Sequence, residues 1–352
     1  MKTKNILYLL AILCLAFVSY KLTNKETSIT RTDRRDFAIA DTSNVVETSI
    51  TRTDRRDFAI ADTSNVVKVI LSSKMPETAI IERIGTNNWT VNGDYKARKA
   101  AVFYLLKTLQ RMEIAHPVAL TMRDNVLGNL AVRGIKVQVF LKDGTEKTFY
   151  VGGENQELSA TFMMLQDATD PYAIHIPGFK GYLSSRFFTA EYIWRDKTVL
   201  NYDNLAINTV SMRYYAPKMI DESFVLSREN EDEFSLSNYK ETTKLELNPT
   251  KLQTYLGSFR KLNSEGFISG SLNVDSILNV KPVFDLVVSN NKGEETTVTA
   301  YYKKAKDGTH VDGDVTMRDP ERMYAHINKT DWVIIQLNSF GRVMKSLSDL
   351  KK

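Results

Sequence analysis

The chain has 352 residues, more than one ordinary domain needs, and is 43% hydrophobic and 25% charged, which excludes wholesale disorder and collagen-like repeats. Lys and Arg total 47 against 42 Asp and Glu, and a net charge of +5 is too thin over this length for a nucleic-acid-binding protein. One cysteine excludes a disulfide framework or a cysteine-ligated zinc within one chain, and four histidines remain for imidazole chemistry.

Lys2 and Lys4 precede an uncharged, largely apolar run from Asn5 to Tyr20 that ends at Lys21. As a helix it would reach about 24 Å, and snorkelling of Lys4 and Lys21 covers the remainder of a ~30 Å hydrocarbon core. Phe17-Val18-Ser19-Tyr20 offers no A-x-A-like cleavage site, and Leu13 before Cys14 is large where a lipobox needs a small residue. An uncleaved anchor is therefore expected over a signal peptide or a lipoprotein. Lysines and arginines flank both sides, so positive charge does not decide the orientation. Glu26 to Val46 and Glu47 to Val67 are the same 21 residues, ETSITRTDRRDFAIADTSNVV, in tandem. Two copies without divergence do not make a solenoid, and the first copy reads as additional surface linker.

From Val66 the pattern becomes regular. Val66 to Leu71, Thr78 to Arg83 and Trp89 to Val91 read as strands split by turn-rich stretches. Val102, Leu105, Leu106, Leu109 and Met112 lie on one helical stripe. A second helix is predicted from about Met122 to Arg133, with Gly134 in the left-handed cap position. Ile135 to Val139 alternates as a half-buried strand, Lys142-Asp143-Gly144 signals a hairpin into Lys147 to Val151, and further strands are predicted at Thr161 to Leu165 and Tyr172 to His175. A short helix near Gly181 to Phe188 closes this half.

The same order then recurs. Thr209 to Tyr215, Ser223 to Arg228 and Phe234 to Ser237 are strand-like, and Asn248 and Pro249 start a helix with the stripe Leu252, Tyr255, Leu256, Phe259 and Leu262. Val283 to Ser289 leads through Asn290-Asn291-Lys292-Gly293 into Thr296 to Tyr302. Asp170-Pro171 with Tyr172 to Ile176 has a looser echo in Asp319-Pro320 with Tyr324 to Ile327, which would place His175 and His326 on equivalent strands. The expected fold class is α+β: an N-terminal membrane helix over residues 1–22, a linker over 23–65, and two diverged copies of a mainly antiparallel sheet module covered by helices, over 66–195 and 196–352.

RRDFAIADTSNVVKVIL, NNWTVNGDYKARKAAVFYLLKTL and DPYAIHIPGFKGYLSSRFF resemble the bacterial domain-of-unknown-function 4340 family, from Arg34 to about Phe188 and more weakly beyond. The resemblance implies a membrane-tethered envelope protein, related to segments found with auxiliary subunits of gliding-motility-type ABC transporters. It implies no catalytic residue. The duplicated 21-residue segment departs from the family pattern, in which it occurs once.

Chemistry-bearing motifs are few. Neither G-x-x-x-x-G-K-[ST] nor G-x-G-x-x-G occurs, nor H-E-x-x-H or an EF-hand loop. Ser237-Asn238-Tyr239-Lys240 spells S-x-x-K but follows a strand edge without companion motifs. Asp312-Gly313-Asp314 reads as a solvated turn before a cation site. His175 and His326 are read as structural, His116 and His310 as loop residues, and Trp89, Trp194 and Trp332 as packing. No catalytic, cofactor-binding or metal-ligating residue is assigned and no cofactor is expected. The expectation is a non-enzymatic binding or scaffold component on the inner membrane, single-pass with its body in the periplasm, serving a transporter or motility assembly. Its partners would be the membrane and an envelope protein, and not nucleic acid. The alternative is an envelope hydrolase or carbohydrate-binding protein using scattered carboxylates.

Overall fold

A computed structural model describes residues 55–231, 233–241, 243–268, 273–305 and 317–352. The expected anchor with Cys14, the first 21-residue copy, His310 and Asp312-Gly313-Asp314 lie outside the described residues. No helix among the described residues is long and apolar enough to cross a membrane. The chain divides into two compact units between Arg195 and Asp196. Each is built on a large, mostly antiparallel sheet with few helices.

In the first unit the strands are β1 (Val66–Ser72), β2 (Thr78–Arg83), β3 (Trp89–Val91), β4 (Tyr95–Lys96), β5 (Glu113–Pro117), β6 (Ile135–Leu141), β7 (Glu146–Glu154), β8 (Thr161–Leu165) and β9 (Tyr172–His175). They pair in the order β4-β3-β2-β1-β6-β7-β8-β9-β5. Val69 sits between Ile81 and Val139, so the β-branched residues of the central strands meet on one buried face. The helix Lys99–Arg111 covers that face with Val102, Leu105 and Leu109. Leu106 is only half-buried at the stripe's edge, and Leu105 takes the central place.

In the second unit, after β10 (Thr198–Leu200), come β11 (Ile207–Tyr214), β12 (Phe224–Arg228), β13 (Phe234–Asn238), β14 (Lys244–Leu245), β15 (Leu262–Asn263), β16 (Gly266–Phe267), β17 (Phe284–Asn290), β18 (Glu295–Lys304), β19 (Arg318–Ile327) and β20 (Asp331–Gln336). The large sheet runs β14-β13-β12-β11-β17-β18-β19-β20-β16, the first unit's order strand for strand, while β10 and β15 pair separately. The helix Pro249–Gly257 covers the sheet, its end capped by the Asn248 side chain, which accepts from the amides of Thr250 and Lys251.

The likeness extends to irregular detail. The register slips between Val66 and Lys68 where β1 meets β6, and between Ile207 and Thr209 where β11 meets β17. Both following hairpins turn on a glycine at positive φ, Gly144 at +84° and Gly293 at +80°. The Lys142 amide donates to the Asn65 carbonyl at 2.9 Å, and the Asn291 amide to the Ala206 carbonyl at 2.9 Å. Arg83 donates through Nε to the Val66 carbonyl at 2.8 Å and through Nη2 to the Thr63 carbonyl at 3.1 Å. Arg228 does the same to Ile207 at 2.8 Å and Asn204 at 2.8 Å. Each guanidinium also lies over an aromatic ring six residues on, Trp89 at 4.3 Å and Phe234 at 4.4 Å.

Four expectations need correction. The linker does not run to residue 65: Phe58, Ala59 and Ile60 are buried in the first core, and Phe58 packs edge-on against Phe149 and Tyr172. The Ile60 amide donates to the Leu109 carbonyl at 2.8 Å, and Lys147 Nζ holds the carbonyls of Asp57 at 2.6 Å and Ala59 at 3.1 Å. The stretch is too short and irregular to announce itself, yet its apolar residues fill space the sheet leaves open. Gly134 follows the helix Leu120–Arg133 with φ −63°, in extended rather than left-handed backbone. Glycine is needed there because a Cβ would stand 2.2 Å from the Leu130 carbonyl oxygen. Leu106, placed by its spacing on the apolar stripe, is half-buried, although it holds the same helical place as the buried Leu256. His175 lies on β9 and His326 on β19, which hold different places in the two strand orders. The Asp-Pro…Tyr echo is therefore a sequence coincidence, and the true counterpart of β9 is β20.

Candidate binding groove

The groove with the most apolar lining among those described is at the β5 edge of the first sheet. The chain enters β5 after the helix Lys99–Arg111, crosses to the far side of the sheet and pairs with β9, with a register slip between Ile114 and His116. Pro117 ends the strand and removes an amide donor, and slip and proline together blunt this edge against further strand pairing. The helix Leu120–Arg133 then begins beside the strand end. It buries only Val126 and Leu130. Leu120 at its start is 86% exposed, and Met122 is also exposed.

Pro117, Val118, Leu120, Met122, Phe162 and Pro171 supply apolar walls to a groove of about 690 Å³. Arg123 and Asp170 in its wall pair with one another, while Glu157 at its edge is exposed. Arg123 Nε donates to Asp170 Oδ1 at 2.6 Å and Nη2 to the Thr169 carbonyl at 3.0 Å, while Thr169 Oγ1 donates to Asp170 Oδ2 at 2.7 Å. The hydrogen bond and charge of Asp170 hold the Arg123 guanidinium above its ordinary pKa. Asn155 turns inward on its own loop, its Oδ1 accepting from the amides of Ser159 and Ala160 at 2.9 and 3.0 Å. This arrangement presents an apolar surface with a neutralised ion pair at its rim, which suits non-covalent binding.

A second, polar hollow of about 480 Å³ lies in the second unit. Lys303 Nζ and Asp319 Oδ2 form a buried pair at 2.7 Å, and Asp319 Oδ1 accepts from the amides of Glu321 and Arg322 at 3.0 and 3.1 Å. Burial would raise the Asp319 pKa, but Lys303 and those amides outweigh it and hold the carboxyl below its ordinary value. Glu265 accepts from Arg322 Nε at 2.8 Å and Gln336 Nε2 at 3.1 Å. Each carboxylate that could serve as an acid or base here is engaged by a cation, as in a structural network.

Of the residues singled out in the sequence, His116 and His175 line one hollow beside Phe179 and Lys180, and the others lie apart from them. His116 Nδ1 lies 2.9 Å from the Pro117 carbonyl oxygen at the groove mouth. His175 faces Glu113 across β5–β9. His326 stacks flat on Trp332, ring centroids 4.4 Å apart. Burial pushes both His175 and His326 below the ordinary imidazole pKa. Trp194 is buried and donates Nε1 to the Phe188 carbonyl at 3.0 Å. Ser237 stands within β13, and Lys240 pairs with Asp221 at 3.1 Å, so S-x-x-K is not a helix-borne pair. Among the described residues no three His, Cys, Asp or Glu side chains gather as metal ligands would. The sequence reading missed β5 and hence the groove, because Glu113–Pro117 is short and ends in proline. It also missed the paired arginines, although an arginine six residues before Trp89 and before Phe234 was a readable signal.

The family model described as "Domain of unknown function (DUF4340)" matches residues 89–279, more than half of the chain and across the division between the units. No curated protein and no solved structure matches the chain.

Proposed function

The chain belongs to the DUF4340 family, and we propose that it acts as a membrane-anchored, non-enzymatic binding or scaffold component of an envelope transporter or motility assembly. The apolar groove beneath Leu120 and Met122 carries this reading, since its walls are mainly apolar and the Arg123–Asp170 pair in them is mutually neutralised. The apolar run Asn5 to Tyr20 supports an inner-membrane anchor, and the resemblance to tethered envelope proteins supports a body in the periplasm. We further propose that the units are diverged copies of one ancestral module. The shared strand order, the matched register slips and the paired arginines support this. A tether raises the local concentration of partners on the same membrane, so a modest groove affinity suffices.

The test is affinity capture of the tagged full-length protein from membranes, beside a Leu120→Ser/Met122→Ser variant. Both side chains are exposed, so the variant should fold normally. A component lost from the variant and recovered with the parent is the expected result. Equal recovery with both, or no specific component with either, refutes the groove as the binding site.

A further inference from the structure

We propose that the exposed face of the helix Lys99–Arg111, with the loop at Phe179 and Lys180, rests on an anionic membrane surface. Phe103 is 56% exposed, Tyr104 55% and Phe179 39%. Phe103 and Tyr104 meet edge to face with centroids 5.5 Å apart. Arg186 is held over Phe179 at 4.7 Å and Tyr104 at 5.9 Å, and its Nη1 donates to Thr108 Oγ1 at 3.1 Å. Lys107 lies 5.5 Å from the Phe103 ring centre. These aromatics are off the buried stripe and contribute little to the core, so water-exposed aromatic area is retained here without a folding gain.

Charge selects the occupant. From Lys96 to Met112 and from Pro171 to Ala190 the sequence carries no Asp or Glu, yet it supplies Lys99, Lys107, Arg111, Lys180 and Arg186. Aromatic rings overlain by Lys107 and Arg186, with Glu157 the carboxylate that shares a hollow with Phe179 and Lys180, match the headgroup layer of a bilayer containing anionic lipid. The second unit gives the comparison. Its Tyr202 amide donates to the Phe259 carbonyl as Ile60 does to Leu109, so Phe103 and Tyr104 correspond to Gln253 and Thr254. The same scaffold position is thus polar where no such face is built. The tether also enters at this helix: Arg56 Nη2 donates to the Gln110 carbonyl at 2.8 Å, and Arg56 Nη1 is 3.7 Å from Glu113. The chain upstream of Arg55 joins the unit at the helix's C-terminal end.

The inference rests on the anchored reading, and the experiment separates the two. The full chain, with Cys14→Ala and a polarity-sensitive dye on Ala100→Cys, is assembled into nanodiscs of phosphatidylcholine alone or with phosphatidylglycerol. Ala100 is exposed one turn from Phe103 and Tyr104. Co-elution with the discs reports the anchor, and the dye reports the face. A blue shift on phosphatidylglycerol discs, reversed by high salt and lost in Phe103→Gln/Tyr104→Thr, is expected. A dye on Thr250→Cys in the second unit should not shift. A water-like Ala100 dye on discs that carry the chain overturns the proposal, and leaves the face for a protein partner. A chain that stays out of the discs overturns the anchor instead. The Ala100 dye is then read with phosphatidylglycerol vesicles added to the free chain, where a blue shift upholds the face and its absence overturns it.

Discussion

Phe58→Ala tests whether the segment ahead of β1 belongs to the folded unit. Phe58 is fully buried, with its ring edge-on to Phe149 at 6.1 Å and to Tyr172 at 6.3 Å. Truncating a buried phenylalanine costs about 3–5 kcal/mol, the lost transfer energy and the cavity together. The aromatic contacts on both sides favour the upper part of that range. For a unit of this size the loss lowers the midpoint by roughly 10 °C. The assay is calorimetry, which resolves the transitions of the two units where they melt separately; the loss should fall on the first unit alone. The measurement should be made in the full chain and in a chain with one 21-residue copy deleted. The copies are identical, so deleting either yields the same polypeptide, and that chain should melt like the parent. In the single-copy chain Phe37 is no longer available to take the vacated place. A loss below about 1 kcal/mol there would refute the docking of this segment.

The paired arginines should matter equally in their own units. Arg83→Lys and Arg228→Lys keep the charge but lose the forked contact to two carbonyls and the stacking on Trp89 or Phe234, and each should cost about 2 kcal/mol by denaturant titration. A large loss from one and none from the other would break the structural equivalence of the units. Stability should also fall on acidification before the carboxylates titrate. Burial sets His175 and His326 below the ordinary value, so between about pH 6.5 and their folded values the unfolded chain binds protons the folded chain resists. Stability from this source is complete above about pH 6.5 and is lost as pH falls through the folded values. Denaturation midpoints compared at pH 7.5 and 5.5 should draw closer in His175→Gln/His326→Gln; an unchanged difference would exclude the histidines as its source.

Much of the local structure was legible. β2, β3, β8 and β9 fall on the predicted spans, because alternating apolar residues between turn-rich stretches leave few other options. Asn248 with Pro249, and the glycines at 144 and 293, marked a helix start and two hairpins through capping and positive φ. The candidate groove was not legible. Its walls come from β5, the following helix, β8 and the approach to β9, which are separated in sequence and carry no periodic signal in common. Phe103 and Tyr104 could be seen to lie off the helical stripe, but not to be flanked by Arg186 and Phe179.

By itself the sequence determined the family, the recurrence of elements in the second half, and most strands, since these depend on residues within one turn or one hairpin. Only the tertiary structure decided the order of those strands, because pairing β5 with β9 or β1 with β6 closes long loops that no local pattern encodes. It also decided which likenesses were real. The arginines at Arg83 and Arg228 occupy one environment because the same carbonyls meet them, whereas His175 and His326 share a motif but lie on strands with different neighbours. A short motif specifies a local conformation, and the neighbour across the sheet specifies what that conformation is for.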